Sequence, residues 1–166
     1  MKQLETGDVL CCQGKSFISK AIKLFTGSKI THTGIVLNLD GKIFIAESQK
    51  EGFNLIQYDN WKKKFNYDYI AFRPNSEYDR LIIEGNIFKK LGSVPYDFNL
   101  FIFRYPKKII KEIFIKKDLD IKPVDNEDKR EICSESVSDI LGWDEPQNYV
   151  PVDVYNRCIK EKFLIL

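Results

Sequence analysis

The chain alternates between short apolar runs and turn residues in its first half, and between helical spacings and breaks in its second. Asp8 to Cys12 is a brief apolar stretch that predicts a buried strand ending at Gly14. Phe17, Ile18, Ala21, Ile22 and Phe25 recur at helical spacing, and Gly27 stops that helix. The clearest signal follows. Thr31–Leu39 and Lys42–Ser48 are rich in Ile, Val, Leu and Phe, and Asp40-Gly41 between them is a type I′ hairpin turn. Further strands are predicted over Phe53–Tyr58 and over Tyr69–Arg73, before Pro74. The first half therefore reads as an antiparallel meander preceded by one helix.

Helical spacing dominates afterwards. Glu77–Leu91 places Leu81, Ile82, Ile87, Phe88 and Leu91 on one side, with Gly92 as cap. Tyr96–Ile115 is apolar and basic and is interrupted by Pro106, and Lys116–Glu131 is a polar loop. Ile132–Leu141 predicts a helix that Gly142 ends. No repeat or low-complexity linker divides the chain. One α+β domain over residues 1–166 is the expectation, an antiparallel sheet or small barrel packed on helices.

Composition narrows the class. With 43% hydrophobic and 13% aromatic residues in 166, the chain can build a core. Its 26 basic and 24 acidic residues nearly cancel, which argues against a nucleic-acid partner recruited by bulk charge. The first residues lack the apolar core of a signal peptide. The greasiest run, Phe98–Phe103, is far short of a membrane span of about 20 residues. Four unevenly spaced cysteines do not form a secreted disulfide framework, so a reduced cytoplasmic protein is expected.

His32 is the only histidine, so any Cys-His or Ser-His chemistry must use it. A two-residue Asp40-Gly41 turn pairs Leu39 with Lys42, and counting back sets His32 opposite Gln49 and Gly34 opposite Glu47. Side chains alternate between faces. Glu47 and Gln49 thus share a face with His32, while Ser48 points away, provided no bulge intervenes. Glu47 becomes a diagonal neighbour of His32 at roughly 7–8 Å between backbones, a gap long side chains close. A carboxylate there would accept the imidazole Nδ1–H and fix its tautomer.

Cys133 is the best nucleophile of the four thiols. Ser134 and Glu135 suit a first helical turn, so the thiol stands at a helix N-terminus, where unpaired N–H groups and the dipole favour a thiolate. The same amides suit an oxyanion. Taken singly, each residue has a plainer reading: a buried cysteine, a structural histidine, a solvated edge glutamate. A zinc site from Cys11, Cys12, Cys133 and His32 is disfavoured, because adjacent strand cysteines point to opposite faces and no Cys-x-x-Cys spacing occurs. No metal or other cofactor is expected. Cys158 reads as structural.

These pieces occur in a familiar order. Gly7-Asp8-Val9-Leu10 leads into a helix, then come Thr31-His32-Thr33-Gly34-Ile35-Val36 and Phe44-Ile45-Ala46-Glu47. Val94-Pro95-Tyr96-Asp97-Phe98 follows a long helix, and Ile132-Cys133-Ser134-Glu135 opens a late one. The chain resembles the circularly permuted NlpC/P60 branch of the papain-like fold, the YiiX-like group, over roughly residues 7 to 141. The resemblance implies a permuted papain-like fold with His before Cys in the chain. It implies a cysteine peptidase or amidase with Cys133 as nucleophile, His32 as base and Glu47 as the orienting third residue. Tyr96 matches a recurrent position near the site, and Tyr96 and Gln49 are candidate substrate-binding residues. The basic stretch and polar loop from about 104 to 130 depart from the pattern and read as a possible insertion.

The expected substrate is a small peptide, an amide or another acyl compound. Related permuted proteins are lipid acyltransferases or phospholipases, and Phe98–Ile115 combines apolar side chains with Arg104, Lys107, Lys108 and Lys111. That allows peripheral membrane contact, although a core helix with a basic outer face is favoured. A binding module that keeps the fold without catalysis is the third reading.

Overall fold

The computed structural model describes residues 3–49, 52–91 and 132–166. Its described part is an α+β structure. Six strands form one antiparallel sheet in the order β4-β3-β2-β1-β5-β6. They are β1 (Val9–Gln13), β2 (His32–Leu39), β3 (Lys42–Gln49), β4 (Gly52–Gln57), β5 (Asp68–Arg73) and β6 (Leu164–Ile165). The helices are α1 (Phe17–Thr26), α2 (Tyr58–Phe65), α3 (Arg80–Lys90), α4 (Cys133–Ile140) and α5 (Pro151–Lys160), with a 3₁₀ turn at Pro146–Asn148.

Strand β1 lies at the centre, between β2 and β5. Its four residues Val9–Cys12 are fully buried, as a strand covered on both faces requires. Alternation then sorts the sheet into two cores. Val9, Cys11, Ile35, Leu37, Ala46 and Phe72 join residues of α3, α4 and α5 on one face. Leu10, Cys12, Val36, Ile45 and Ala71 meet Trp61 of α2 on the other.

The hairpin has the expected register. Leu39 pairs with Lys42 and Ile35 with Ala46, and Asp40 and Gly41 both take positive φ, as a type I′ turn demands. Ladder pairing then stops at Ile35–Ala46, although β2 reaches back to His32 and β3 runs on to Gln49. The candidate site lies at that end of the two strands.

Three expectations are corrected. Helix α2 was not predicted: Asp59, Asn60 and three consecutive lysines leave little periodic signal, and the segment is held by Trp61, which is wholly buried. Helix α3 turns a different face inward. Ile83 and Ile87 enter the core, while Leu81 and Ile82 are 77% and 62% exposed and Phe88 is also exposed. The short strand β6 has no apolar alternation long enough to predict it. Helix α3 starts at Arg80, with the Asp79 carboxylate accepting from the amides of Leu81 and Ile82. The expectations for Gly92, Tyr96–Ile115, the loop to Glu131 and the insertion at 104–130 fall outside the described residues.

Gly34 is required by close approach. A Cβ there would stand 2.9 Å from Ile45 Cγ2 and 3.6 Å from Glu47 Cβ. Gly34→Ala is expected to cost about 1–3 kcal/mol in urea unfolding through overpacking. A neutral Gly34→Ala would contradict this packing.

Candidate functional site

Cys133 is the first residue of α4 and follows Ile132, whose backbone is extended. The Glu135 carboxylate closes back on the Ile132 amide at 3.0 Å, fixing where the helix starts. Intrahelical pairing begins with Ser136 N–H donating to Ile132 O, so the amides of Cys133 and Ser134 precede the first such bond. Almost every residue of α4 is buried, and its serines anchor it. Ser134 Oγ donates to Tyr149 O at 2.8 Å, and Ser136 Oγ lies 2.5 Å from Ser48 Oγ of β3. Ser48 thus faces α4, away from Glu47, as strand parity requires.

His32 is the first residue of β2. Its Nε2 is 2.7 Å from Glu47 Oε2. Glu47 is fully buried and accepts two more hydrogen bonds, from Trp61 Nε1–H to Oε2 at 2.9 Å and from Gln49 Nε2 to Oε1 at 2.7 Å. The sequence reading put the carboxylate on Nδ1; the structure puts it on Nε2. Nδ1 is the ring nitrogen that Glu47 leaves, and Cys133 lies near enough for its charge to act on the ring. Strand parity predicts shared faces but not which edge of a ring turns to which partner.

Thr33 completes the thiol's surroundings. Its backbone N–H lies close enough to favour the Cys133 thiolate. Its buried hydroxyl has no hydrogen-bond partner among the described residues. Helix α4 packs against β2 and β3, which brings Cys133 to the His32–Thr33 end of β2.

The charges follow from this geometry. Burial opposes the charged form of both groups, and pairing outweighs it. The Cys133 and Glu47 charges, with hydrogen bonds to both, push His32 up to about 10. Burial raises the Cys133 thiol, but the imidazolium and the Thr33 hydrogen bonds bring it below its ordinary value. The two shifts together favour the thiolate–imidazolium form of the pair over the neutral one. Cys11 and Cys12 are pushed up instead, Cys11 chiefly by its hydrogen bond to Cys158 and Cys12 by burial. They lie on opposite faces of β1.

Two aromatic neighbours escaped the sequence reading. Trp61 reaches Glu47 from α2. Tyr67 precedes β5, with its ring centroid 5.6 Å from that of His32 and 5.3 Å from that of Phe65, against which it stacks. Burial, with Glu47 and the nearby thiols, pushes the Tyr67 phenol up, which keeps it protonated. The cluster of aromatics between Tyr58 and Tyr69 was a visible signal, but without α2 nothing directed it to His32. Gln49, expected to touch substrate, donates to Glu47 Oε1 at 2.7 Å and lies 3.4 Å from His32 Nε2. Tyr96 lies outside the described residues.

Neither a family model nor a curated protein matches the sequence. Among solved structures the fold is similar to that of the metalloprotein YiiX from Escherichia coli O157:H7, DUF1105, with a TM-score of 0.59 and 23% identity. The match covers 84% of this chain and 65% of that one. Among the described residues no helix is long and apolar enough to cross a membrane.

Iodoacetamide reactivity follows the thiolate. Cys133 is expected to be alkylated well before Cys11, Cys12 and Cys158 at about pH 6–7. Its rate should stay level through neutrality and fall only as acid protonates the lowered thiol. In His32→Ala that limb should move upward, toward the ordinary thiol range near 8.5, because the imidazolium no longer offsets burial. Peptide-mapped mass spectrometry reads both, and equal labelling of all four cysteines would contradict the ion pair.

Proposed function

We propose that the protein is a cysteine hydrolase of the peptidase or amidase type, with Cys133 as nucleophile, His32 as general acid–base and Glu47 as the orienting carboxylate. The observation that carries this reading is a thiol at a helix N-terminus, lowered by an imidazolium that a buried carboxylate tethers on its other nitrogen. Such a constellation activates a thiol for attack on acyl carbon.

The Cys133 thiolate adds to the substrate carbonyl, forming the C–S bond and placing the electron pair on oxygen. The Cys133 amide at the start of α4 is available to that oxyanion. As the carbonyl re-forms, the C–N bond breaks and His32 gives its proton to the departing amine. The resulting thioester is attacked by water, which His32 deprotonates. Collapse expels the thiolate and releases the acid, and the proton taken from water leaves His32 an imidazolium, which restores the starting pair. Glu47 holds the ring through Nε2 so that Nδ1 faces the sulfur throughout.

The fold and the chain order, His32 before Cys133, agree with a permuted papain-like hydrolase in a single domain of the YiiX-like kind. The similar structure is a metalloprotein, but the described residues here do not fit an ion. No three His, Cys, Asp or Glu side chains converge as a ligand set. His32 and Glu47 are also in direct contact at 2.7 Å, leaving no room for a metal between them. No step is routed through one. The lipid-acyltransferase reading rests on Phe98–Ile115, outside the described residues, and nothing in the site favours it.

An activated acetyl ester separates catalysis from binding alone. Wild type is expected to acquire one acetyl group on Cys133, removable by hydroxylamine, and to turn over. Cys133→Ala should do neither, and Glu47→Gln should lose about 10²–10⁴-fold in turnover through misorientation of the ring. Small peptide amides then define the acyl group. Acetylation that persists in Cys133→Ala, or turnover indifferent to His32→Ala, would overturn the proposal.

A further inference from the structure

Glu47 is held more firmly than its partnership with His32 alone requires. Its carboxylate is fully buried beneath α2 and receives three donors in a divided arrangement. Oε2 accepts from His32 and from the Trp61 indole at 2.9 Å, and Oε1 accepts from the Gln49 amide at 2.7 Å. A glutamate has three rotatable side-chain bonds, and a donor on each oxygen fixes the last of them. Trp61 is also locked by packing. It is wholly buried, with Tyr67 and Tyr69 set edge-on to it at 5.6 and 5.9 Å between centroids and Phe65 tilted against it at 6.3 Å. An indole so confined directs its single N–H along one line.

We infer that Trp61 and Gln49 are positioning residues for the reactive thiol, acting through Glu47: together they aim Oε2 at His32 Nε2, so that helix α2 sets the orientation of an imidazole on the far side of the carboxylate. The inference rests on the proposed roles of Cys133 and His32. It also gives α2 a purpose beyond covering the sheet. A polar helix with Asp59, Asn60 and three lysines contributes one fully buried side chain, and that side chain ends on the carboxylate.

The only histidine makes the test direct, because a single imidazole signal reports His32 by NMR without assignment. In wild type this ring should remain an imidazolium through neutral pH. In Trp61→Phe, which keeps an aromatic ring but removes the N–H, its deprotonation midpoint is expected to fall by about one unit. The acid limb of Cys133 alkylation should rise by a similar amount. Gln49→Leu should shift both the same way by less, since it frees only Oε1. An unchanged His32 midpoint in a folded Trp61→Phe overturns the inference. Should Trp61→Phe fail to fold, the wild-type indole decides. Only two tryptophans are present, and Trp143 donates to the Tyr78 hydroxyl, so Trp143→Phe identifies the Trp61 N–H peak. That peak should be slow in hydrogen exchange and should move with the His32 titration; a peak indifferent to it overturns the inference. A wild-type Cys133 as sluggish as the other cysteines, beside the expected His32 shifts, would instead sink the hydrolase reading and leave the positioning intact.

Discussion

A buried imidazolium between a thiolate and a carboxylate is the interaction on which the rest of this structure depends. None of the three groups is tolerable alone in so dry a place. An isolated buried charge costs several kcal/mol, and removing one partner of a buried pair leaves the other uncompensated. Cys133, His32 and Glu47 must therefore be brought together accurately, and much of the local architecture serves that requirement. The Asp40-Gly41 turn sets the register that puts Glu47 on the face of His32. Gly34 has no side chain, so Ile45 and Glu47 can close in beside it. The ladder between β2 and β3 ends at Ile35–Ala46, and α4 packs against both strands.

The site also joins the two faces of the sheet. Glu47 and Trp61 belong to the core beneath α2, whereas α4 packs on the opposite face and is pinned there by Ser136 on Ser48. His32 and Thr33, consecutive in β2, both act to lower the Cys133 thiol. This explains why four buried cysteines behave differently. Cys11, Cys12 and Cys158 are buried among apolar groups and other thiols; Cys11 is pushed up chiefly by its hydrogen bond to Cys158 and Cys12 by burial. Cys133 is equally buried, but the cation beside it reverses the balance.

Much of this was legible in the sequence because it rests on periods and turns. Two turn residues fixed the hairpin register, the register gave Glu47 and set Ser48 aside, and the sequence Cys133-Ser134-Glu135 marked a helix start. What escaped was governed by tertiary packing. Helix α2 has only Tyr58, Trp61 and Phe65 among polar residues, so its order follows from the burial of Trp61 against Glu47, which no local window contains. In α3, Leu81 and Ile82 matched the helical spacing and yet face outward, because two adjacent positions lie about 100° apart and Ile83 and Ile87 compete for the same core. The choice of Nε2 over Nδ1 likewise depends on the thiol arriving from a helix a hundred residues later.

The central claim is that Cys133 is a thiolate at neutral pH because His32 is an imidazolium. Its most direct test is the ultraviolet thiolate absorbance of the wild-type protein, with that of Cys133→Ser subtracted, followed from acid to alkaline pH. The account predicts a difference band already complete at neutrality that disappears only in acid, and that is lost at neutrality in His32→Ala. A band that emerges only near the ordinary thiol value of about 8.5, in the presence of His32, would contradict it.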